Sequence, residues 1–271
     1  MSETPRKAFV VAGSEATGGA GFQTDLRVFH TLGVYGCGTL TCIVAFDPAN
    51  EWGHRFYPVD PEIIDAQMEA ALADWGSDLD VCKVGMLGTP ATIETVAERL
   101  SSHSWRHVVV DPVLICKGQE PGAALDTDNA LRERILPLAT VVTPNVFEAK
   151  VLSGMDEIET VEQLGEAAKR IGDLGVPYVV AKGGVELPGE DAVDVVWDGS
   201  ELIETRRPKI GEHRVSGAGC SVAAAITAEL AKGAEVIDAV NVARDLVTEG
   251  IRQRLVGSTP FDVVWQGAYS A

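Results

Sequence analysis

Short, valine-rich apolar runs recur along this chain, each ending in a glycine or a polar residue and most leading into a stretch of helical periodicity. Residues 7–12 end in Gly13-Ser14, and 81–84 lead to Gly85. Residues 107–110 end at Asp111, 140–142 at Thr143-Pro144-Asn145, and 178–181 at Lys182. Runs without polar alternation suit strands buried on both faces, and helices between them imply right-handed crossovers. The expected fold is therefore α/β: a central, mostly parallel β-sheet flanked by helices on both faces.

Helix starts are marked locally. Asp60-Pro61 and Thr89-Pro90 each give an N-cap followed by proline at the first helical position. The first opens a helix through Trp75 with Ile64, Met68, Ala71 and Leu72 on its apolar side. Phe22, Leu26, Phe29 and His30 repeat at helical spacing up to Gly33. Further helices are expected from about 125 to 136, 220 to 232 and 235 to 254. Residues 35–45 read as a second strand, and Asp198-Gly199 between two β-rich runs signals a hairpin. The mixture of aromatics and turn formers over 46–58 suits a flap, and the loose loop over 113–125 a lid.

With 271 residues and no repeat or long linker, one domain spanning 1–271 is expected. The N-terminal residues lack the apolar segment of a signal peptide and no run approaches a membrane span, so a cytoplasmic protein without membrane contact is expected. A formal charge of −18 argues against nucleic acid, which needs a basic face. The five cysteines form no Cys-x-x-Cys pair and suggest neither a disulfide framework nor a zinc site. Cys37, Cys42 and Cys82 lie in apolar runs and read as small buried hydrophobes, whereas Cys116 and Cys220 lie among glycines and polar residues.

Candidate chemistry collects at strand ends, because the carboxyl ends of parallel strands line the ligand crevice. Asp111, Asn145 with Glu148 three residues on, and Lys182 all occupy that position. The turn Ser216-Gly217-Ala218-Gly219-Cys220-Ser221 then runs into an alanine-rich helix. Glycines there let backbone N–H groups gather around an anion, and a thiol at a helix N-terminus is expected to have a lowered pKa. The loop with glycines at 13, 18, 19 and 21 lacks the Gly-x-Gly-x-x-Gly spacing of a dinucleotide site, which sets aside a nucleotide-dependent dehydrogenase.

These landmarks, in this order, resemble the ribokinase superfamily. They are Gly13-Ser14 through Gly21, Lys83-Val-Gly-Met-Leu-Gly88, Val110-Asp-Pro-Val113, Thr143-Pro-Asn-Val-Phe-Glu148, Lys182-Gly-Gly184 and Gly217-Ala-Gly-Cys220. Within it the chain is similar to the vitamin-kinase branch, which phosphorylates hydroxymethyl groups on small heteroaromatic rings. Trp52-Gly-His54, Cys116-Lys-Gly118 and Cys220 resemble the dual-cysteine pyridoxal kinases of that branch, which implies ATP-dependent phosphorylation of pyridoxal, pyridoxine or pyridoxamine in vitamin B6 salvage. The alternatives are hydroxymethylpyrimidine (phosphate) kinase and a non-catalytic vitamin-binding regulatory protein.

The resemblance also implies roles. Cys220 is the base, in an anion hole of Gly217, Ala218 and Gly219. Lys182 faces the ATP phosphates, and Asp111, Asn145 and Glu148 hold Mg²⁺ largely through water. Glu15, Ala20, Val44, Phe46, His54 and Met86 line the ring pocket, and Cys116 closes over it as a hemithioacetal former. Phe46 stands where pyrimidine kinases carry a glutamine, and Glu15 where the family usually has aspartate. A homodimer is expected from the resemblance alone.

Overall fold

The computed structural model describes residues 4–114 and 121–270. Nine strands form one sheet: β1 Lys7–Glu15, β2 Tyr35–Asp47, β3 Gly53–Pro58, β4 Val81–Val84, β5 His107–Val110, β6 Val141–Val142, β7 Tyr178–Lys182, β8 Asp191–Trp197 and β9 Leu202–Pro208. Their spatial order is β3-β2-β1-β4-β5-β6-β7-β8-β9. The six strands from β2 to β7 run parallel, while β3 at one edge and β8 with β9 at the other pair antiparallel. The strand order reverses between β1 and β4, which is where an open α/β sheet forms its ligand crevice.

Eight α-helices occur among the described residues: α1 Phe22–Thr31, α2 Pro61–Trp75, α3 Pro90–Ser101, α4 Pro121–Ala130, α5 Val146–Ser153, α6 Val161–Gly172, α7 Ala218–Lys232 and α8 Val236–Arg252. Side chains of successive strand residues point to opposite faces, so each parallel strand feeds two cores. Phe9, Val11, Val108 and Val110 pack with Ile64, Met68, Ile93, Val96, Leu164 and Ile171 from α2, α3 and α6. Ala8, Val10, Ala12 and Val109 pack with Val28, Phe29, Ile226, Val240 and Leu246 from α1, α7 and α8. Each fully buried aliphatic or aromatic side chain contributes about 1.5–3 kcal/mol.

Both expected proline-led helices form. Asp60 accepts the Glu62 amide at 2.9 Å and Thr89 accepts the Thr92 amide at 3.1 Å, each ahead of a helix that begins on proline. Helix α7 is buried over residues 221–231, because it lies between the sheet and α1 and α8. Its run of alanines lets the backbone approach these neighbours closely.

Some boundaries differ from those expected. The stretch 46–58 is not irregular: β2 continues to Asp47, the chain turns, and β3 pairs Phe46 with His54 and Val44 with Phe56. Cross-strand hydrogen bonds there outweigh the turn formers, so the expected flap is a hairpin arm of the sheet. Glu51 and Trp52 make its tight reversal with φ of 49° and 59°. Helix α4 starts at Pro121 rather than beyond Leu125, taking up the end of the expected lid. Residues 115–120 of the expected lid, Cys116 among them, lie outside the described residues.

Candidate active site

The turn before α7 has its geometry fixed by glycine. Gly217 takes φ 81° as the residue preceding the helix, and a β-carbon there would collide with the carbonyl of Gly19. The two glycine loops, 13–21 and 216–220, therefore meet backbone to backbone. Ser216 is held on both sides by the C-terminal segment, donating to Asp262 O at 2.8 Å and accepting from Val264 N at 3.1 Å. Gln266 Nε2 donates to Ser221 Oγ at 3.1 Å. The Ala218 amide donates to Val215 O at 3.3 Å, which leaves the first-turn amides of Gly219 and Cys220 as the unsatisfied donors that a helix N-terminus offers an anion.

Beneath this turn lies a buried charge cluster built from the ends of β5, β6 and β7. Lys182 Nζ is 3.1 Å from Asp111 Oδ1, donates to the carbonyl of Thr143, and lies within ordinary contact of where a Gly219 side chain would begin. Thr143 Oγ1 is 3.3 Å from Asp111 Oδ1. Burial pushes the Asp111 carboxyl up, but Lys182 and then Lys83 outweigh it and hold the group below the usual carboxylate range. Burial opposes the Lys182 charge, yet Asp111 and Glu148 keep its pKa above the ordinary lysine value.

Asn145 and Glu148 form a reciprocal capping box at the start of α5. Asn145 Oδ1 accepts the Glu148 amide at 2.9 Å and Glu148 Oε2 accepts the Asn145 amide at 2.8 Å. Burial pushes Glu148 up to about 7, with Lys182 opposing and Asp111 adding to the rise. No group of three or more His, Cys, Asp or Glu among the described residues is placed to hold a metal by itself. The carboxylates of Asp111 and Glu148 nevertheless fit Mg²⁺, a hard cation that takes oxygen ligands, keeps several waters and needs only one or two protein carboxylates.

Cys220 sits at the junction of the two glycine loops, where the backbone N–H of Gly21 donates to its sulfur. The expectation of a lowered thiol pKa is corrected here. Burial pushes the thiol up to about 12; Lys83 and the Gly21 amide pull it down, while Asp111 and Asp25 add to the rise. Desolvation and two nearby carboxylates outweigh the helix N-terminus and favour the neutral thiol, although the residue keeps partial exposure on the cavity wall.

The expected ring-pocket residues lie on the β1–β2–β3 side. Phe46 and His54 meet edge to face with centroids 4.7 Å apart. Val44 pairs with Glu15 across β1 and β2. Thr41 Oγ1 donates to the Met86 carbonyl at 2.6 Å, and a β-carbon on Gly13 would lie 3.8 Å from the Met86 sulfur. Ala20 is in the loop between Gly19 and Gly21. Glu15 turns into its own loop: it accepts from the Thr17 amide at 2.5 Å, the Thr17 hydroxyl at 2.7 Å and the Gly19 amide at 2.9 Å.

Asp111, Asn145, Glu148, Lys182, Gly217, Ala218, Gly219 and Cys220 all border one cavity of about 290 Å³. Val185, Ile210, Val215, Val222, Val247 and Ile251 give it an apolar wall. It thus combines a charged, polar end with an apolar wall, as small-molecule sites commonly do. Two buried pairs had not been anticipated. Arg244 bonds Asp194, whose other oxygen accepts the Gly183 amide at 3.0 Å beside Lys182. Lys83 bonds both oxygens of Asp25, at 2.9 and 2.7 Å. The signal for the second was a lysine inside the apolar run Val81-Cys-Lys-Val84, which demands a buried partner.

Residues 15–260 match the family described as phosphomethylpyrimidine kinase. The chain is 47% identical over 247 residues to the pyridoxine kinase of Bacillus subtilis, covering 91% of this chain and 90% of that protein. It superposes on the ADP complex of Bacillus subtilis pyridoxal kinase with a TM-score of 0.92 and 44% identity, covering 98% of each chain. Staphylococcus aureus pyridoxal kinase in complex with AMP-PCP and pyridoxal gives a TM-score of 0.90 and 35% identity, covering 98% of this chain and 95% of that one. The fold and the crevice are those of a ribokinase-like vitamin kinase. The chain belongs to the phosphomethylpyrimidine kinase family of that superfamily.

Proposed function

We propose that this protein transfers the γ-phosphoryl group of ATP to the 5′-hydroxymethyl group of pyridoxal, and also accepts pyridoxine and pyridoxamine. The observation that carries the reading is Cys220 at the meeting point of the two glycine loops, on the border of the cavity that Lys182, Asp111, Asn145 and Glu148 also line. The identity to a pyridoxine kinase and the likeness to pyridoxal kinases bound to ADP, AMP-PCP and pyridoxal support it.

In this reading the apolar wall receives adenine, and Lys182 with the first-turn amides of α7 receives the phosphates. Asp111, Glu148 and Asn145 would hold Mg²⁺, largely through water, and the ion would supply charge neutralisation to the phosphates. The substrate hydroxyl gives its proton to the Cys220 sulfur as its oxygen bonds to the γ-phosphorus and the bond to the β-phosphate oxygen breaks. Charge on the transferring group is met by donors already in place, which is the main requirement of this reaction. Loss of the Cys220 proton beforehand costs less when either flanking carboxylate, Asp111 or Asp25, is neutralised, and Asp111 is one of the residues that would hold the cation.

The hairpin arm 46–58 serves as the flap, 113–125 as the lid, and Cys116 as the thiol that adds reversibly to the aldehyde. Exposed Ile43 and Tyr57, cross-strand partners on the arm, together with exposed Ile63 support the homodimer. Among the described residues no helix is long and apolar enough to cross a membrane.

Hydroxymethylpyrimidine phosphorylation is the second reading, favoured by the family matched. Phe46, packed on His54 and unable to hydrogen-bond a pyrimidine edge, ranks it below pyridoxal. The test is ADP release measured side by side with pyridoxal, pyridoxine and hydroxymethylpyrimidine. Pyridoxal is expected to give the highest kcat/KM. Higher turnover of the pyrimidine would reverse the order, and no turnover of any of the three would end the kinase reading.

A further inference from the structure

Lys83 and Asp25 form an ion pair with no solvent exposure on either side chain, one residue from β4 and one from the first helical turns of α1. Such a pair is expensive: its desolvation cost often exceeds what it returns, and an apolar pair of similar volume stabilises a fold as well or better. The pair sits where the strand order reverses. Asp25 N donates to Gly21 O at 3.0 Å, and Gly21 N donates to the Cys220 sulfur. Gly85 leaves the room Lys83 needs, since a β-carbon there would lie 3.0 Å from Nζ.

The charged and titratable groups acting on Lys83 are Asp25 from α1, Cys220 from α7 and Asp111 from the end of β5. Lys182, the other buried lysine, is already held by Asp111 and Thr143. Among the described residues Asp25 is the acidic group that bonds Lys83 directly, and the Lys83 charge pulls the Cys220 thiol toward its ionised form.

We propose that Lys83, fixed by Asp25, is a positioning residue for phosphoryl transfer: a permanent buried cation that stabilises the Cys220 thiolate and so readies it to take the substrate's hydroxyl proton. This rests on the reading of Cys220 as the base. The Asp25 carboxylate, bonded through both oxygens, keeps Nζ oriented and charged. Asp25 itself is pushed up to about 6 by burial, with Lys83 opposing. Removing the lysine therefore leaves a carboxyl that readily takes a proton, and the site loses its cation without retaining a full extra anion.

The test compares Lys83→Met, Lys83→Arg and the double variant Asp25→Leu/Lys83→Met with the native chain. Iodoacetamide alkylation of Cys220, followed by peptide mass spectrometry across pH, reads the thiolate without any substrate. The pH profile of kcat for pyridoxal reads the base. Lys83→Met and the double variant are expected to alkylate about tenfold more slowly at a given pH, equivalent to about one pH unit, with the rising limb of kcat displaced upward alike. Lys83→Arg is expected to restore both, and KM for ATP to stay unchanged throughout. The apolar double variant guards against a fold lost through an orphaned carboxylate. Native alkylation and an unshifted kcat limb in that folded variant would overturn the proposal. Slower alkylation with an unshifted limb would overturn its catalytic part by removing Cys220 as the base. Absence of pyridoxal turnover in the native chain would strike the functional reading instead, which the alkylation data keep separate.

Discussion

Lys182 Nζ and Asp111 Oδ1 lie 3.1 Å apart beneath the Gly217–Gly219 turn, both almost fully buried. Lys182→Met would leave that carboxylate without its cation, and breaking a buried pair from one side costs about 3–5 kcal/mol. We expect thermal melting to show that loss and steady-state assays to show a raised KM for ATP. In Lys182→Met/Asp111→Asn stability should recover while activity does not. Recovery of both would mean that Lys182 serves the fold only.

Gly217→Ala tests the anion hole with a single methyl group. The positive φ is strained for alanine, and its β-carbon meets the Gly19 carbonyl, so the turn must move. Displacing one well-placed donor in such a hole lowers kcat by about 10²–10³. A variant that melts close to the native protein but keeps native kcat would place the transferring phosphoryl elsewhere.

For the thiols, Cys220→Ala should lower turnover with little change in ATP affinity. Cys116→Ala should harm pyridoxal turnover more than pyridoxine turnover, because only pyridoxal carries an aldehyde. Equal losses on the two vitamers would remove any special role for Cys116.

Glu148 makes a pH prediction with a definite sign. Its folded pKa of about 7 stands above the ordinary 4.5, so between those values the folded chain binds the proton more tightly than the unfolded one. The stabilisation is full below about pH 4.5 and is lost as pH rises through 7. Melting temperatures followed across this window should therefore fall less steeply with rising pH in Glu148→Gln than in the native chain. An identical slope would mean that the carboxylate titrates normally.

The layout of the sheet, the proline-led helices and the strand-end placement of Asp111 and Lys182 were legible in the sequence because each depends on local chemistry. A proline after a capping residue starts a helix whatever the rest of the chain does, and a valine run without polar alternation is buried on both faces. The hairpin arm was less legible, since its pairing of Phe46 with His54 overrides the turn formers between them. The Cys220 environment was misread, because a helix N-terminus is visible in sequence while the burial and the Asp25 and Asp111 carboxylates around it are not. Asp25–Lys83 and Asp194–Arg244 join segments far apart in the chain. Only the oddity of a charge within an apolar stretch announces such pairs.

The contact between the Gly19 carbonyl and Gly217 also bears on how the enzyme comes into being. One loop follows the first strand and the other precedes the penultimate α-helix, so the crevice closes only across nearly the whole length of the chain. Contacts of such long range are slow to form, because chain closure must come before they return any stability. During refolding, catalytic activity should therefore reappear after the helical circular-dichroism signal has recovered. A chain interrupted before α7 would lack one wall of its own active site.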